Sequence, residues 1–219
     1  MNCNNFSSTD FFPNLAAGDY TVCVQTTTDC IYENEITIEQ PPELTVEIIQ
    51  DTVVYLGEST LLFAETSYPI DSLIWSPIEN LNCANCLEVE ASVLENTVFN
   101  VTVFDINGCE AKDAALVAIN KKPRIFVPNV FSPNGDGTND FLLVFAANGV
   151  EEIAEFKIFS RWGSLVFEQN NFQPNDPVHG WDGIFQGKEM DSAVFAWFLK
   201  ATLIDGSEVL LKGDFTLLR

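Results

Sequence analysis

Phe99-Asn-Val-Thr-Val-Phe-Asp-Ile-Asn-Gly-Cys109 alternates apolar and polar residues before it reaches an Asn-Gly pair. Its aromatic and valine residues fall on one face of an extended chain, while Asn100 and Thr102 fall on the other. This period of two predicts a half-buried strand. Asn107-Gly108 is typical of a hairpin turn, so we expect a partner strand at Ala114–Ile119. The stretch therefore indicates a β fold.

A similar pattern occurs earlier in the chain, at Tyr20-Thr-Val-Cys-Val-Gln-Thr-Thr-Thr-Asp-Cys30. Both copies begin with an aromatic residue, alternate valines on one face and end in cysteine ten residues later. The offset of 79 residues is about the size of one small sandwich domain, so it predicts an array of modules. Further strands are predicted where apolar runs stand between turn residues, at Leu44–Ile49, Val53–Tyr55, Thr60–Ala64 and Ser72–Trp75.

Trp75 lies on one of the middle strands. A tryptophan in that place fits an immunoglobulin-like sandwich, in which it packs between the two sheets. We therefore expect Trp75 to be buried; the alternative is an exposed tryptophan that stacks on carbohydrate.

Lys121-Lys-Pro123 interrupts the alternation, and we place a domain boundary there. Ala193–Leu203 is apolar on nearly both faces, which favours a central strand covered on both sides. The other strands predicted after the boundary are Arg124–Val127, Phe141–Phe145, Ile153–Phe159, Leu165–Phe167, Glu208–Lys212 and Phe215–Leu218. The sequence thus predicts an all-β chain of tandem immunoglobulin-like β-sandwich domains, divided at residues 1–43, 44–120 and 121–219.

The net charge of −22 is unevenly distributed. Residues 1–120 hold one cation and 19 acids, whereas residues 121–219 hold nine cations and 13 acids. The acidic first part repels nucleic acid and anionic membranes, so we expect neither as a partner. No apolar run approaches the length of about 18 residues that a transmembrane helix needs.

Val127-Pro-Asn-Val-Phe-Ser-Pro-Asn-Gly-Asp-Gly-Thr-Asn-Asp140 is dense in turn formers, and we expect no strand within it. Side-chain oxygens recur at every second position, at Asn134, Asp136, Thr138 and Asp140. Such spacing lets a tight loop turn several oxygens toward one point, as calcium sites require. The loop lacks the bidentate glutamate of an EF-hand, and the alternative is a hydrated turn that binds nothing.

Six cysteines are present, two of them in Asn82-Cys-Ala-Asn-Cys-Leu87. Zinc needs about four nitrogen or sulfur ligands, and the only histidine, His179, lies far along the chain. A redox pair expects a βαβ setting, which the sequence does not predict here. A structural disulfide of an exported protein is therefore favoured. Among the other cysteines, Cys3, Cys23 and Cys30 allow three pairings, and the sequence leaves all three open.

Two segments of the first half resemble known surface-protein repeats. Trp75-Ser-Pro, Leu81-Asn-Cys-Ala-Asn-Cys86 and the run that ends at Cys109 resemble PKD-type immunoglobulin-like repeats of Bacteroidota. Asn14–Val22 with Ile36–Leu44 is similar to the closing half of a gliding-adhesin repeat of the SprB type. PKD-type repeats often carry an early cysteine, where this chain has Tyr55. The resemblance therefore implies that Cys83 pairs with Cys86 and that Cys109 is free.

Residues 125–219 closely resemble the gliding-motility-associated C-terminal domain of Bacteroidota, which is the type B sorting signal of the type IX secretion system. The resemblance is carried, besides Val127–Asp140, by Ile158-Phe-Ser-Arg-Trp-Gly163, Val166-Phe-Glu168, Gly180-Trp-Asp-Gly183, Asp205-Gly206 and Gly213-Asp-Phe-Thr-Leu-Leu-Arg219. It departs from the family at Ala193 and Phe195, where glycine and tyrosine are usual.

This resemblance implies export through the periplasm to the cell surface, with outer-membrane components of the PorP/SprF family as partners. Recognition could use strand addition at the edge of Phe215–Leu218, which includes Phe215 and Leu217. It could instead use Arg161, Trp162 and Arg219 as interface anchors. We expect a large gliding adhesin without enzymatic activity.

The alternative function is a secreted protein that binds or degrades polysaccharide and uses the same sorting domain. Exposed tryptophans at Trp162 or Trp181 would serve carbohydrate binding. The sequence contains no Gly-x-Ser-x-Gly elbow and no His-Glu-x-x-His motif, and His179 is expected to be a loop residue rather than a general base.

Overall fold

The computed structural model describes residues 11–28, 30–50 and 53–219. The chain forms two compact units, one up to Leu44 and one from Thr45 to Arg219. Both are built from β-strands, and the helical content of the described residues is a single 3-10 turn at Pro177–His179. The all-β prediction is confirmed.

The first unit contains one antiparallel hairpin, β1 (Gly18–Gln25) and β2 (Ile31–Ile38). The Tyr20 hydroxyl donates to the carbonyl oxygen of Ala16 at 2.7 Å and so ties the start of β1 to the chain before it. Cys23 is disulfide-bonded and Cys30 is free, so these two cysteines do not pair with each other. The pairings that involve Cys3 lie outside the described residues.

Residues 45–120, here called the first module, form two three-stranded sheets with the orders β3-β5-β7 and β6-β8-β9. A short parallel pair joins β10 to β4. The predicted strands are confirmed, although the partner of β8 already begins at Glu110 because the turn before it is tight. The bounds are β3 Val46–Gln50, β4 Val54–Tyr55, β5 Thr60–Thr66, β6 Ser72–Ser76, β7 Glu88–Ala91, β8 Thr97–Phe104, β9 Glu110–Val117 and β10 Ile119–Asn120.

Trp75 is fully buried in the core of the first module, as predicted. Its indole Nε1 donates to the carbonyl oxygen of Cys86 at 2.9 Å, and its backbone N–H donates to Ala84 at 3.0 Å. Cys83 and Cys86 form a disulfide, and Cys109 is free and exposed. Both cysteine predictions are therefore confirmed. The disulfide loop supplies the acceptor that a buried indole N–H needs.

Residues 121–219, here called the second module, are built on a five-stranded sheet with the order β12-β19-β18-β14-β15. Short pairs β11-β13 and β16-β17 complete the module. The bounds are β11 Ile125–Phe126, β12 Val130–Phe131, β13 Phe145–Ala146, β14 Val150–Phe159, β15 Leu165–Phe172, β16 Ile184–Phe185, β17 Lys188–Glu189, β18 Ala193–Leu203 and β19 Glu208–Leu217.

β18 has the predicted bounds and the predicted central position. The prediction that both its faces are covered is wrong. Phe195 and Leu199 are buried, whereas Val194 on the opposite face is 53% exposed. Hydrogen bonds to β14 and β19 give the strand its central place, while the core of the module covers only one face of the sheet.

Three strand predictions in the second module need correction. Val127–Asp140 does contain a strand, β12, because its backbone pairs with the end of β19. This pairing places the Phe131 side chain in the core. The runs predicted on either side of this loop shorten to β11 and β13, which pair with each other. The two strands predicted at the end of the chain are one continuous strand, β19, in which Gly213 leaves room for the Trp197 ring.

In the described residues, no sheet contains strands from both sides of residue 121. The two modules nevertheless belong to one compact unit, and the division at 43, 120 and 219 stays a prediction. Lys121 Nζ lies 2.7 Å from Asp205 Oδ2, and the carboxylate side chain is only 8% exposed. The ion pair joins the start of the second module to its β18-β19 turn.

We expect this ion pair to make stability depend on acid pH. The Lys121 ammonium, together with Ser207, lowers the pKa of the Asp205 carboxyl from 3.8 to about 2. Because the folded state favours the charged form, the pair contributes stability above about pH 4 and loses it as the pH falls through about 2. The melting temperatures of wild type and Asp205→Asn should therefore differ at neutral pH and converge toward pH 2.

Asp71→Asn, at an exposed aspartate of the first module, serves as the control. A difference for Asp205→Asn that stays constant from pH 6 to about pH 2 would contradict this assignment.

Candidate functional site

One end of the five-stranded sheet gathers most of the sequence motifs of the second module. Phe159 at the end of β14 pairs with Ala196, and Leu217 at the end of β19 pairs with Ala193. The parallel pairing of Phe131 with Leu217 brings the end of β12 to the same place. We call this the distal end. It comprises Ser132–Asp140, Ser160–Ser164, Gly180–Ser192 and Leu218–Arg219.

The Ser160–Ser164 turn presents Trp162 to solvent at the distal end. The turn is closed by hydrogen bonds between the backbones of Ser160 and Ser164 and between Gly163 N–H and the Ser160 carbonyl. Trp162 is 82% exposed, and the Arg161 guanidinium lies 5.0 Å from the centre of its ring. A stacked arginine–tryptophan pair exposes apolar area and positive charge together, as interface anchors commonly do.

A groove of about 460 Å³ runs beside this turn. One wall is formed by Ser160, Arg161 and Trp162, and the other by the segment from Phe185 to Phe195. That segment includes the β16-β17 hairpin, whose turn residues Gln186 and Gly187 both have positive φ angles. The groove thus combines an exposed indole with a mixed wall of apolar and charged side chains.

Arg219 holds the hairpin wall in place. Its Nε donates to the Met190 carbonyl at 2.8 Å, and its Nη1 lies 3.0 Å from Glu189 Oε2. Its Nη2 donates to the Gly183 carbonyl at 3.3 Å, and its backbone N–H donates to Ser192 Oγ at 3.0 Å. The side chain is only 23% exposed. Arg219 therefore fixes the position of three groove-lining residues, and its side chain is not freely solvated.

Three pieces of the sequence motif meet at Gly183, where the φ angle is +78°. A Cβ atom there would lie 2.9 Å from Leu217 Cδ1, 3.2 Å from Pro133 Cγ and 3.3 Å from Arg219 Nη2. Glycine is needed because of both this φ angle and this crowding. The loop after β12, the Gly180–Gly183 turn and the end of β19 therefore form one packed cluster.

The side-chain oxygens of Asn134, Asp136 and Asp140 in the predicted calcium loop have partners within the loop. Asp140 accepts hydrogen bonds from the N–H groups of Gly135 and Gly137 at 2.7 and 2.8 Å. Asp136 accepts from the Asn134 amide and from Thr138 N–H, and these bonds lower the pKa of its carboxyl. In the described part of the chain, no group of three or more acidic, histidine or cysteine side chains is placed to hold a metal. The geometry matches a self-bonded turn, and calcium at Asn134, Asp136, Thr138 and Asp140 remains a proposal.

Phe215 and Leu217, predicted as recognition residues, are buried in the core. The rings of Phe215 and Phe195 stack at a centroid distance of 5.5 Å. The edge of β19 expected to accept a partner strand is occupied, because Thr216 and Leu217 pair with β12 on one side and with β18 on the other. The short strand Val130–Phe131, missed in the sequence, fills that edge. Trp181 is also buried, at 1% exposure, so of the two tryptophans considered for carbohydrate binding only Trp162 is accessible.

Sequence reasoning missed the groove wall from Phe185 to Val194. Only part of the usual signal is present, because Gly187 suits the second position of a two-residue hairpin turn, whereas asparagine, aspartate or glycine is usual where Gln186 stands. No sequence signal shows that Glu189, Met190 and Ser192 meet Arg219, since these residues lie about thirty positions apart in the chain.

The described geometry defines the class of protein: an all-β chain whose last module presents a packed cluster of loops and an aromatic groove at one end. Residues 125–213 match the family model described as the CHU_C type IX secretion signal domain. A domain of this kind directs export across the outer membrane, so the protein reaches the cell surface or is secreted. No helix among the described residues is long and apolar enough to cross a membrane.

No curated protein sequence matches the chain. The solved structures to which this chain is similar include the Bacteroides ovatus glucan-utilization protein SGBP-B in complex with a mixed-linkage heptasaccharide (12% identity, 93% of this chain, 54% of that chain, TM-score 0.31). They also include a tetra-tandem repeat from the extending region of a large adhesion protein (13% identity, 93% of this chain, 57% of that chain, TM-score 0.31). A third is latent PorU of Porphyromonas gingivalis (10% identity, 92% of this chain, 24% of that chain, TM-score 0.31). The chain thus spans just over half the length of the first two.

Proposed function

We propose that this chain is a region of a large, non-enzymatic cell-surface adhesin that takes part in gliding motility. Its distal end is the surface that the type IX secretion machinery recognises, and outer-membrane proteins of the PorP/SprF family are the direct partners. The parent protein crosses the periplasm and is presented at the cell surface.

The observation that carries this proposal is the clustering of the motif pieces at one end of the second module. Pro133, Gly183 and Arg219 meet there, and Arg161 and Trp162 stand beside them. Several other motif residues, among them Trp181 and Phe215, belong to the core. The exposed part of the motif, Ser160, Arg161 and Trp162, lines a surface groove, as a recognised export signal needs.

Anchoring by side chains is the favoured route of recognition. Strand addition at the end of β19 would first require displacement of β12, whereas Trp162 is already exposed and stacked under Arg161. A partner that covers the Trp162 ring would gain apolar burial and one cationic contact without any rearrangement of the domain.

The absence of an enzymatic role is supported by the surroundings of the only histidine. His179 packs on the Phe172 ring at 5.2 Å, and its Nδ1 lies 3.2 Å from the Gln169 amide. The residues that line the groove include no histidine. Of its two carboxylates, that of Glu189 is paired with Arg219.

Trp162→Ala is expected to lower surface display of the full chain at least about tenfold, which corresponds to ~1.4 kcal/mol of lost recognition. Display would be measured by surface labelling in a bacterium with an active type IX system, and binding by co-purification with the PorP/SprF-type protein. Val178→Ala is the matched control, because Val178 is 83% exposed in the same module but lies outside the groove. Equal display of the two variants would refute recognition through Trp162.

The second candidate is a secreted protein that binds or degrades polysaccharide and carries the same sorting domain. The observation in its favour is again the exposed Trp162 beside a groove of about 460 Å³. Affinity electrophoresis in gels that contain polysaccharides separates the two functions. Retardation that Trp162→Ala abolishes, with display unchanged, would support carbohydrate binding instead of sorting at this surface.

A further inference from the structure

The two modules of the Thr45–Arg219 unit touch through their backbones. A Cβ atom on Gly57 would lie 2.7 Å from the carbonyl carbon and oxygen of Asn148. A Cβ atom on Gly149 would lie 2.4 Å from the carbonyl oxygen of Leu56. Only glycine at both positions permits this approach. The two modules therefore contact each other directly and are not merely held near each other by a flexible linker.

The connecting segment is itself held to the first module. Ile119 and Asn120 pair in parallel with Val54 and Tyr55, and Leu56 N–H donates to the Asn120 carbonyl at 3.2 Å. The chain therefore enters the second module already fixed against β4. A hinge at the boundary would need free backbone torsions, which this pairing removes.

One ion pair crosses the boundary. Arg124, in the second module, contacts Glu58 and lies 4.5 Å above the Tyr55 ring of the first module. A second ion pair, Lys121–Asp205, lies within the second module and fixes its first residue to the β18-β19 turn.

Little space remains between the two surfaces. The cavity at the junction is about 10 Å³ and is lined by residues of both modules, among them Tyr55, Leu56, Ala147 and Leu203. A cavity of this size holds at most about one water molecule. Modules joined by a linker usually move relative to each other unless their interface is well packed, and this one is packed backbone to backbone.

We propose that residues 45–219 act as one export unit, in which the first module is the structural base of the sorting domain and the rigid junction is required for efficient export. This inference rests on the function proposed above. The junction covers the end of the five-stranded sheet opposite to the distal end, at Ala147–Val150 and Leu203–Ser207. It therefore holds the recognised surface in a fixed orientation, on the side of the second module that points away from the first module.

The test compares two glycine substitutions in the full chain. Gly57 and Gly108 both lie in the first module and both have a φ angle of +82°, so alanine causes the same backbone strain at either position. They differ because a Cβ on Gly57 meets the second module, whereas a Cβ on Gly108 meets nothing within 4 Å. The difference between Gly57→Ala and Gly108→Ala therefore isolates the junction.

Wild type and Gly108→Ala are expected to show one cooperative thermal transition for residues 45–219, and Gly57→Ala two separate ones. Surface display should fall severalfold for Gly57→Ala and stay at the wild-type level for Gly108→Ala. If Gly57→Ala fails to fold, Glu58→Gln removes the ion pair with Arg124 across the junction without adding a heavy atom, and the same two results are expected.

Separate transitions with full display would overturn the inference and leave recognition at the distal end intact. A single transition in every junction variant would overturn it as well. The modules would then unfold together even with the junction contacts removed, so these contacts would not be what couples them. A wild-type chain that is never displayed would instead refute the proposed sorting function itself.

Discussion

Trp181→Ala is expected to lower the free energy of unfolding of the second module by about 3–5 kcal/mol, the usual cost of removing a buried tryptophan. Trp181 is 1% exposed. Its ring centroid lies 5.2 Å from that of Phe195 and 5.7 Å from that of Phe131. The substitution also removes the indole N–H that donates to the Ile184 carbonyl at 3.0 Å. Denaturant unfolding of the full chain, followed by tryptophan fluorescence and circular dichroism, measures the change.

Trp162→Ala is the control for this prediction, because it removes the same side chain from a surface position. Trp162 is 82% exposed, so the free energy of unfolding should change by no more than about 0.5 kcal/mol. The two tryptophans would thus separate folding from recognition. A loss above about 2 kcal/mol for Trp162→Ala would show that the turn packs on the domain and would contradict the exposed position.

Phe215→Ala is expected to have a similarly large effect, about 3–5 kcal/mol of lost stability. Phe215 is 1% exposed and contacts the rings of Phe195, Phe131 and Trp181 with centroid distances of 5.5, 5.7 and 6.0 Å. Surface display should fall with it, because an unfolded signal domain presents no distal end and is removed by proteases. Thermal unfolding and surface labelling of the same variant measure the two effects.

Phe215→Leu distinguishes a core role from a recognition role at this position. Leucine refills most of the space, so we expect a loss of only about 1–2 kcal/mol and display close to that of wild type. The outcome that would contradict the core assignment is a stable Phe215→Leu variant that is not displayed. In that case the aromatic ring itself would be read by the export machinery.

The elements that sequence predicted best are those whose pattern is local. The bounds of Ala193–Leu203 and the strand around Phe99–Val103 followed from runs of β-forming residues between clear turns. The burial of Trp75 followed from its position on a middle strand. The Cys83–Cys86 disulfide was implied by the resemblance to PKD-type repeats. In each case neighbours in sequence carry the information.

The failures concern contacts between distant segments. The strand Val130–Phe131 is only two residues long and forms because β19 offers it a free edge some 86 positions later. Its presence buries the end of β19, and so Phe215 and Leu217 belong to the core and not to a docking edge. A pattern within one strand cannot show which other strand will cover its edge.

The candidate site divides in the same way. Arg161, Trp162 and Arg219 were chosen from the sequence, and the structure brings all three to the distal end, although Arg219 serves to hold the hairpin wall. The sequence predicts the oxygens of Asp136 and Asp140 as metal ligands, and this stays a prediction; the fold adds that backbone N–H groups donate to both carboxylates. Composition shows which atoms are available, and only the folded backbone shows what they bind.

The amino-acid sequence alone determined the all-β class and the motif that marks the second module for export. These depend on residue periodicity, turn residues and short spacings, which act within a few positions of the chain. The tertiary structure alone decided that most of the motif pieces lie at one end of a sheet, that the end of β19 is buried and that Gly57 and Gly149 join the modules. Those features depend on atoms brought together from distant positions, where packing and hydrogen bonding across the fold outweigh local preference.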